Sequence, residues 1–303
     1  MDTLIYWFAR ALVAGIQVLP LMFVARLGRW GGGLAFWLDA RHRRVALQNL
    51  TMCFGDEKAP GEIRALAREN YRRIGENYAC AIKTAAMSFE ALRPHIECAG
   101  IERLPGSNAG QPPSNVVVAI GHFGNFELYA RFGQFRPEYQ CATTYRALKH
   151  PAFDRLLQQL RERSGCLFFE RRADGPLLRA AMRRRGIILG FLTDQSTAGL
   201  RGPFLGHDCS TTLAPAVFAL RYHCELYTGV CYRVALAKWR LELGEKIPTR
   251  ENGKPRSSEE IMRNVNRAFE AAVCRDPANW FWVHRRWKPA EPKAAKTKRE
   301  DRG

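Results

Sequence analysis

His122 is followed five residues later by Glu127, in the stretch Gly121-His122-Phe123-Gly124-Asn125-Phe126-Glu127. A histidine titrates near neutral pH and can take a proton from a hydroxyl, while a nearby carboxylate can hold its tautomer and stabilise the imidazolium that forms. On a straight helix a spacing of five puts two side chains on different faces. The pairing therefore requires His122 in a turn and Glu127 in the first helical turn after it, and Gly121 and Gly124 make such a turn possible. Three readings of His122 stand at this point: general base, hydrogen-bonded structural histidine, and metal ligand. Metal has the least support, because His42, His95, His150, His207, His223 and His284 are dispersed and no second His or Cys falls at a helical ligand spacing. No GxSxG-type nucleophile elbow is present.

The elements around His122 can be read from apolar periodicity. Val116 to Ile120 is an unbroken apolar run that predicts a buried strand ending just before Gly121-His122, and the carboxyl end of a strand in an α/β sheet is where ligands bind. Beyond it the chain alternates: strand Gln140 to Thr144, helix Ala152 to Arg163, strand Cys166 to Phe169, helix Gly175 to Arg185, strand Gly186 to Leu192. The alternation predicts an α/β layer fold with a mainly parallel central sheet. Asp194, just past the last of these strands, is expected at the same sheet edge as His122, with a helix or turn cap as its plainer role. A helix at Thr211 to Tyr222, a hairpin through Cys224 to Val234 and Lys238 to Leu243, and a helix at Ser258 to Arg275 complete the reading. Ahead of the first strand, Ile63, Ala67, Tyr71, Ile74, Tyr78 and Ile82 recur every three or four positions and make Pro60 to Met87 an amphipathic helix. A loop rich in Gly, Pro, Ser and Asn runs from Pro105 to Asn115.

Residues 1–38 are apolar but broken by Asp2, Arg10, Arg26 and Arg29, with Ala11 to Ala25 as the longest uncharged run. That run is short of the ~20 apolar residues a spanning helix needs, and its flanks do not fit a cleaved signal peptide. Two readings remain: a hydrophobic hairpin broken at Pro20 or at Gly31-Gly32-Gly33 and lying in the bilayer interface, or a helix packed on the body. Tyr6, Trp7, Phe8, Trp30, Phe36 and Trp37 beside arginines favour membrane association, and Arg41-His42-Arg43-Arg44 suits anionic lipid on the cytoplasmic side. The expected organisation is a membrane-associating segment at 1–38, a catalytic domain at 39–289 and a basic, disordered tail at 290–303.

The 303-residue chain carries 47 Lys and Arg against 29 Asp and Glu, a net charge of +18. Such a surface attracts polyanions of three kinds: nucleic acid, anionic lipid headgroups or an acidic protein. No recognition-helix module, RNP-type strand or zinc site supports nucleic acid, and that reading leaves the apolar N-terminus unexplained. Nine scattered cysteines with no CxxC argue against a zinc knuckle or a disulfide framework, and for buried small hydrophobes in a reducing compartment.

The form His122-Phe123-Gly124-Asn125-Phe126-Glu127 resembles the HxxxxE signature of the bacterial lipid A biosynthesis acyltransferases, within the glycerolipid HxxxxD/E superfamily. Further blocks follow in that family's order: Arg43-Arg44 with Asn49-Leu50, Tyr145-Arg146 with His150-Pro151, Arg161 to Gly165, and Glu170-Arg171-Arg172. Asp194-Gln195, Gly202-Pro203-Phe204-Leu205-Gly206 and Trp282-Val283-His284-Arg285-Arg286-Trp287 continue the likeness, which reaches from the N-terminal segment to about Pro289. One departure is Ser196, where the family often has a second acid; it bears on the identity of the acceptor more than on the reaction. The resemblance implies transfer of a fatty acyl group from an acyl thioester, usually on acyl carrier protein, to a hydroxyl of a lipid A precursor or similar glycolipid. It implies no cofactor and no metal, with His122 as general base and Glu127 orienting it. Arg146, Arg161 and Arg171, together with Asp194 and Asn125, are the implied substrate-binding or supporting residues, since guanidinium grips phosphate in a bidentate fork. The implied partners are acidic acyl carrier protein, an anionic glycolipid and inner-membrane lipids at the cytoplasmic face. Between Tyr145 and Gly186, eleven Lys and Arg against four acids provide a face for such partners. A family member that has lost catalysis and acts as a scaffold is the rival reading, against which both His122 and Glu127 are retained.

Overall fold

A computed structural model describes residues 2–107, 110–197 and 199–288. The expected tail at 290–303 lies outside them. In chain order the elements are α1 (Asp2–Val18), α2 (Leu21–Leu38), α3 (Ala40–Phe54), α4 (Pro60–Ala85), α5 (Phe89–Leu92), β1 (Ile96–Ala99), β2 (Val116–Ile120), β3 (Gln140–Tyr145), α6 (Pro151–Glu162), β4 (Leu167–Glu170), α7 (Gly175–Met182) and β5 (Ile187–Leu192). They continue with β6 (Leu200–Phe204), β7 (His207–Thr211), α8 (Ala214–Arg221), β8 (Glu225–Ala235), β9 (Lys238–Leu243), β10 (Arg250–Glu251), β11 (Lys254–Pro255) and α9 (Ser258–Arg275).

Seven strands form the central sheet in the order β1-β9-β8-β2-β5-β3-β4. β8, β2, β5, β3 and β4 run parallel; the hairpin turn between β8 and β9 reverses β9, and β1 pairs parallel to β9. All five residues of β2 are buried because the sheet is covered on both faces. Val117 and Ala119 face a core shared with α3, α8 and α9, whereas Val116, Val118 and Ile120 face one shared with α2 and Leu128 and Phe132 of a 3-10 helix at Phe126–Gln134. That α/β architecture with a mainly parallel sheet is the predicted one.

Local differences have local causes. β1 lacks an apolar run (Ile96-Glu97-Cys98-Ala99) and escapes a pattern search. The β6–β7 hairpin is masked by Gly202, Pro203 and Gly206, and it ends at Thr211, so α8 starts at Ala214 instead of Thr211. α7 stops at Met182, and Gly186 at φ +76° turns the chain into β5. Cys80, Cys141, Cys209, Cys224 and Cys231 are buried, Cys274 is exposed, and none of the nine is bridged.

The N-terminal hairpin breaks at Pro20, but Gly31-Gly32-Gly33 does not interrupt α2. Gly32, together with Gly28, serves a helix crossing. A Cβ at Gly32 would lie 2.2 Å from the Tyr71 carbonyl oxygen, one at Gly28 2.6 Å from that of Gly75, and one at Gly75 2.2 Å from that of Gly28. α2 and α4 thus touch backbone to backbone, which only residues without a side chain permit. Charges lock the same crossing. Glu76 on α4 is fully buried and receives Arg29 of α2 (3.3 Å), Arg233 of β8 (2.8 Å) and the backbone N–H of Ala237 (3.0 Å). Arg29 also pairs with Glu69, which holds Arg73, which reaches Asp276 at 2.7 Å. Glu76→Ala would leave the partly buried Arg233 and the Ala237 N–H without their acceptor, Arg29 keeping Glu69, and is expected to cost about 3–5 kcal/mol, read as a lowered unfolding temperature in detergent. Deletion of residues 1–38 is expected to expose the glycine-lined groove of α4 and yield insoluble protein in place of a free soluble domain.

Candidate active site

Register decides which groups meet at the sheet edge. β2 and β5 pair with Ile120 opposite Leu192, so the residues two positions beyond each strand, His122 and Asp194, emerge side by side. The Thr193 N–H donates to the Ile120 carbonyl and keeps the two chains together past the strands (3.0 Å). Gly124 then turns the chain at φ +52°, where a Cβ would lie 2.4 Å from the Cys231 carbonyl oxygen. Its N–H donates to the Asn279 carbonyl, and Phe123 bridges to Trp280.

His122 Nδ1 lies 2.6 Å from Asp194 Oδ1, and the His122 backbone N–H donates to Asp194 Oδ2 at 2.7 Å. Trp280 Nε1–H donates to the same oxygen at 2.7 Å. Burial alone pushes the fully buried Asp194 carboxyl up, but the His122 charge and hydrogen bonds outweigh it and hold the group below the usual carboxylate range. An ionised Asp194 fixes the tautomer with the proton on Nδ1, leaving Nε2 with a lone pair directed away from the buried acid. Gln195 Nε2 stands 3.4 Å from that nitrogen. Arg286, fully buried, donates to the carbonyls of Gln195 (3.0 Å) and Ser210 (2.6 Å) and to Thr211 Oγ1 (2.7 Å), fixing the backbone that carries Gln195.

Glu127 does occupy the first helical turn after the His122 turn, but it does not orient the histidine. Its carboxylate takes a bidentate fork from Arg161, at 2.7 and 3.1 Å, while His122 Nδ1 is taken by Asp194. Arg161 is accordingly not available as a bare phosphate grip; it is neutralised by Glu127 and lies over the Phe168 ring at 5.0 Å. Arg146 and Arg171 are exposed and make no ion pair among the described residues. Asn125 is buried beside the turn.

His122, Glu127, Arg146, Arg161, Arg171, Gln195 and Ser196 surround the mouth of a cavity of about 490 Å3. Buried apolar residues of the sheet (Val118, Ile120, Ile188) and Phe132 of the 3-10 helix form part of its wall, with Thr143, Thr193 and Glu242 also lining it. A base beside a partly apolar cavity with cations at its mouth suits an amphiphile whose reacting carbonyl stops at that base. Among the described residues no three His, Cys, Asp or Glu converge to hold a metal.

Sequence reasoning placed Asp194 at the right edge without pairing it, and it left Gln195, Trp280, His284 and Arg286 without roles. One signal was available: both His122 and Asp194 stand two residues past an apolar strand. His284 donates from Nδ1 to the Phe281 carbonyl and stacks on the Phe281 ring at 6.0 Å. Burial pushes its pKa down to about 4, with the nearby Asp194 pulling the other way. Between pH 6.5 and 4 the unfolded chain gains a proton there that the native protein does not. Stability from this group is thus complete above pH 6.5 and falls with pH by up to about 3 kcal/mol. The depressed Asp194 carboxyl acts only lower, below its unfolded value near ~3.9. Unfolding temperature is expected to drop between pH 6.5 and 4 in the wild type and to flatten in that window in His284→Phe.

The family model for bacterial lipid A biosynthesis acyltransferases matches residues 1–289. A lipid A biosynthesis myristoyltransferase of Escherichia coli K12 is 23% identical over 301 residues, covering 94% of this chain and 87% of that protein. A lipid A biosynthesis palmitoleoyltransferase of the same organism is 24% identical over 293 residues, covering 93% and 90%. A match that runs from α1 through the tryptophan-rich segment around Asp194 makes this chain an acyltransferase and a member of the bacterial lipid A biosynthesis acyltransferase family.

Proposed function

We propose that the protein moves a fatty acyl group from an acyl carrier protein thioester to a hydroxyl of a lipid A precursor at the cytoplasmic face of the inner membrane, with His122 as general base and Asp194 as the acid that orients it. The observation that carries the reading is the 2.6 Å contact of His122 Nδ1 with buried Asp194, which leaves Nε2 as the ring nitrogen free of the acid, on a histidine that lines the large cavity. The acyl chain would lie along the apolar part of the cavity wall with the thioester carbonyl beside His122. The acceptor hydroxyl attacks that carbonyl as Nε2 takes its proton; the C–S bond then breaks, and the imidazolium returns the proton to the thiolate. Products are an ester and a free thiol, so no other reactant is required. Asp194 stabilises the transient imidazolium in a site screened from water. Glu127 holds Arg161 at the rim, and Arg146 and Arg171 remain as exposed supporting cations beside the cavity.

Two surfaces support the partners. The exposed arginines 171, 172, 179 and 183–185 suit an acidic carrier protein. α1 and α2 turn large apolar side chains outward, with Val18 81%, Phe8 74% and Trp30 69% exposed. No helix among the described residues is long and apolar enough to cross a membrane, so the hairpin would lie in the interface with its other face held by α4.

The test supplies labelled acyl carrier protein thioesters and a lipid A precursor, with the product identified by mass spectrometry. His122→Ala is expected to lose about 10²–10⁴-fold in rate, and Asp194→Asn to fall into the same range with a changed pH profile. Glu127→Gln should act chiefly on KM through Arg161; a larger rate loss in Glu127→Gln than in Asp194→Asn would make Glu127 the orienting acid. For the membrane face, Phe8→Ser/Trp30→Ser/Trp37→Ser is expected to lose flotation with anionic vesicles while keeping its unfolding temperature.

A further inference from the structure

The large cavity approaches His122 from the β3–β5 side. On the α4 side a second recess, of about 20 Å3, meets it at His122, Phe126 and Glu127. Its volume admits one group the size of a water or hydroxyl. Asn70 and Asn77 of α4, Asn125, and the 278–281 segment form its walls.

This recess holds polar groups that the protein itself leaves unmatched. Asn125 is 1% exposed, and neither its Nδ2 nor its Oδ1 has a hydrogen-bond partner within the protein. Asn77 Oδ1 and Asn70 Oδ1 are buried and unpartnered as well. Asn70 has a structural duty, since its Nδ2 donates to the carbonyls of Ala278 and Trp280. Asn125 has none that its side chain performs. Leaving such groups unmade is costly, and a fold that retains a whole amide in that state beside its catalytic histidine points to a ligand that completes it.

The unmatched set defines the ligand. One amide N–H group and three amide oxygens require a neutral group that both accepts and donates. A carboxylate or phosphate would meet three oxygens of like polarity, and an ammonium would leave Asn125 Nδ2 unmatched. A hydroxyl accepts from Asn125 Nδ2 and gives its single proton to one acceptor, an amide oxygen on docking or His122 Nε2 as it reacts. The rim is aromatic: Tyr78, half-exposed, and Phe281 meet edge to face at 6.3 Å and offer apolar surface to the C–H face of a sugar ring.

We propose that this recess receives the attacking hydroxyl of the sugar acceptor, hydrogen-bonded by Asn125, so that acceptor and acyl thioester reach His122 from different sides. The assignment rests on the acyl-transfer reading above. The hydroxyl oxygen bonds to the thioester carbonyl carbon, its proton passes to His122 Nε2 and then to the departing sulfur, and Asn125 exchanges no proton. Two substrates with separate entrances need not displace each other, and the acyl chain can stay in the large cavity while the headgroup docks over Tyr78 and Phe281.

The test measures KM for a purified lipid A precursor and for the acyl carrier protein thioester separately, alongside the unfolding temperature of the unliganded protein. Asn125→Ala is expected to raise the acceptor KM about tenfold or more, as the loss of one to two hydrogen bonds implies, with the thioester KM unchanged. Its unfolding temperature should stay level or rise, because the substitution removes polar groups that had no partner. Asn77→Ala, on a different element, is expected to shift acceptor KM in the same direction by a smaller factor. A fall in unfolding temperature with both KM values unchanged makes Asn125 structural and overturns the proposal; a rise in thioester KM alone assigns the recess to the donor and overturns it too. If the wild type transfers no acyl group to the lipid A precursor, the acyl-transfer reading itself fails, an outcome separate from either of these.

Discussion

A carboxylate with no exposure to water must be fully hydrogen-bonded or it will be protonated, and Asp194 meets that condition with donors from two distant stretches of chain. His122 supplies a ring N–H and a backbone N–H from the end of β2, and Trp280 supplies an indole N–H from the segment after α9. The demand of one buried charge therefore joins two central strands and the C-terminal segment at the sheet edge. It also sets the histidine's tautomer, which is the condition for Nε2 to accept a proton.

The C-terminal segment has to arrive at Asp194 with little freedom, and buried amides secure it. Asn49 of α3 holds the carbonyls of Trp282 and His284, Asn70 of α4 holds those of Ala278 and Trp280, and Asn279 reaches the Cys231 carbonyl. α4 is in turn gripped by α2 through the glycine crossing and the Glu76 cluster. The N-terminal hairpin thereby belongs to the support of the active site while its outer face stays apolar and exposed. One helix, α4, carries the N-terminal hairpin and also places Asn77 and Tyr78 beside His122.

Glu127 illustrates how spacing can be right and partnership wrong. A turn at Gly124 followed by a 3-10 helix put it where the HxxxxE pattern required, yet Arg161, arriving on α6, claims both its oxygens. A bidentate guanidinium is a stronger partner for an exposed-edge carboxylate than a neutral imidazole. His122 was already committed through Nδ1 to an acid that is ionised and dry.

What the sequence determined by itself was the part carried by local pattern: the apolar β2 run, the strand and helix alternation, the helix over Ser258 to Arg275, and the Gly-His-x-Gly turn. Apolar periodicity and turn chemistry act over a few residues, so these elements and the candidacy of His122 were legible, as was the family through its ordered blocks. Tertiary structure alone decided that Asp194, 72 residues on, orients His122, that Glu127 belongs to Arg161, and that α2 runs unbroken through Gly31-Gly32-Gly33 with Gly32 at a helix crossing. Each of those depends on strand register or on the close approach of separate helices, and no short window of sequence contains both partners.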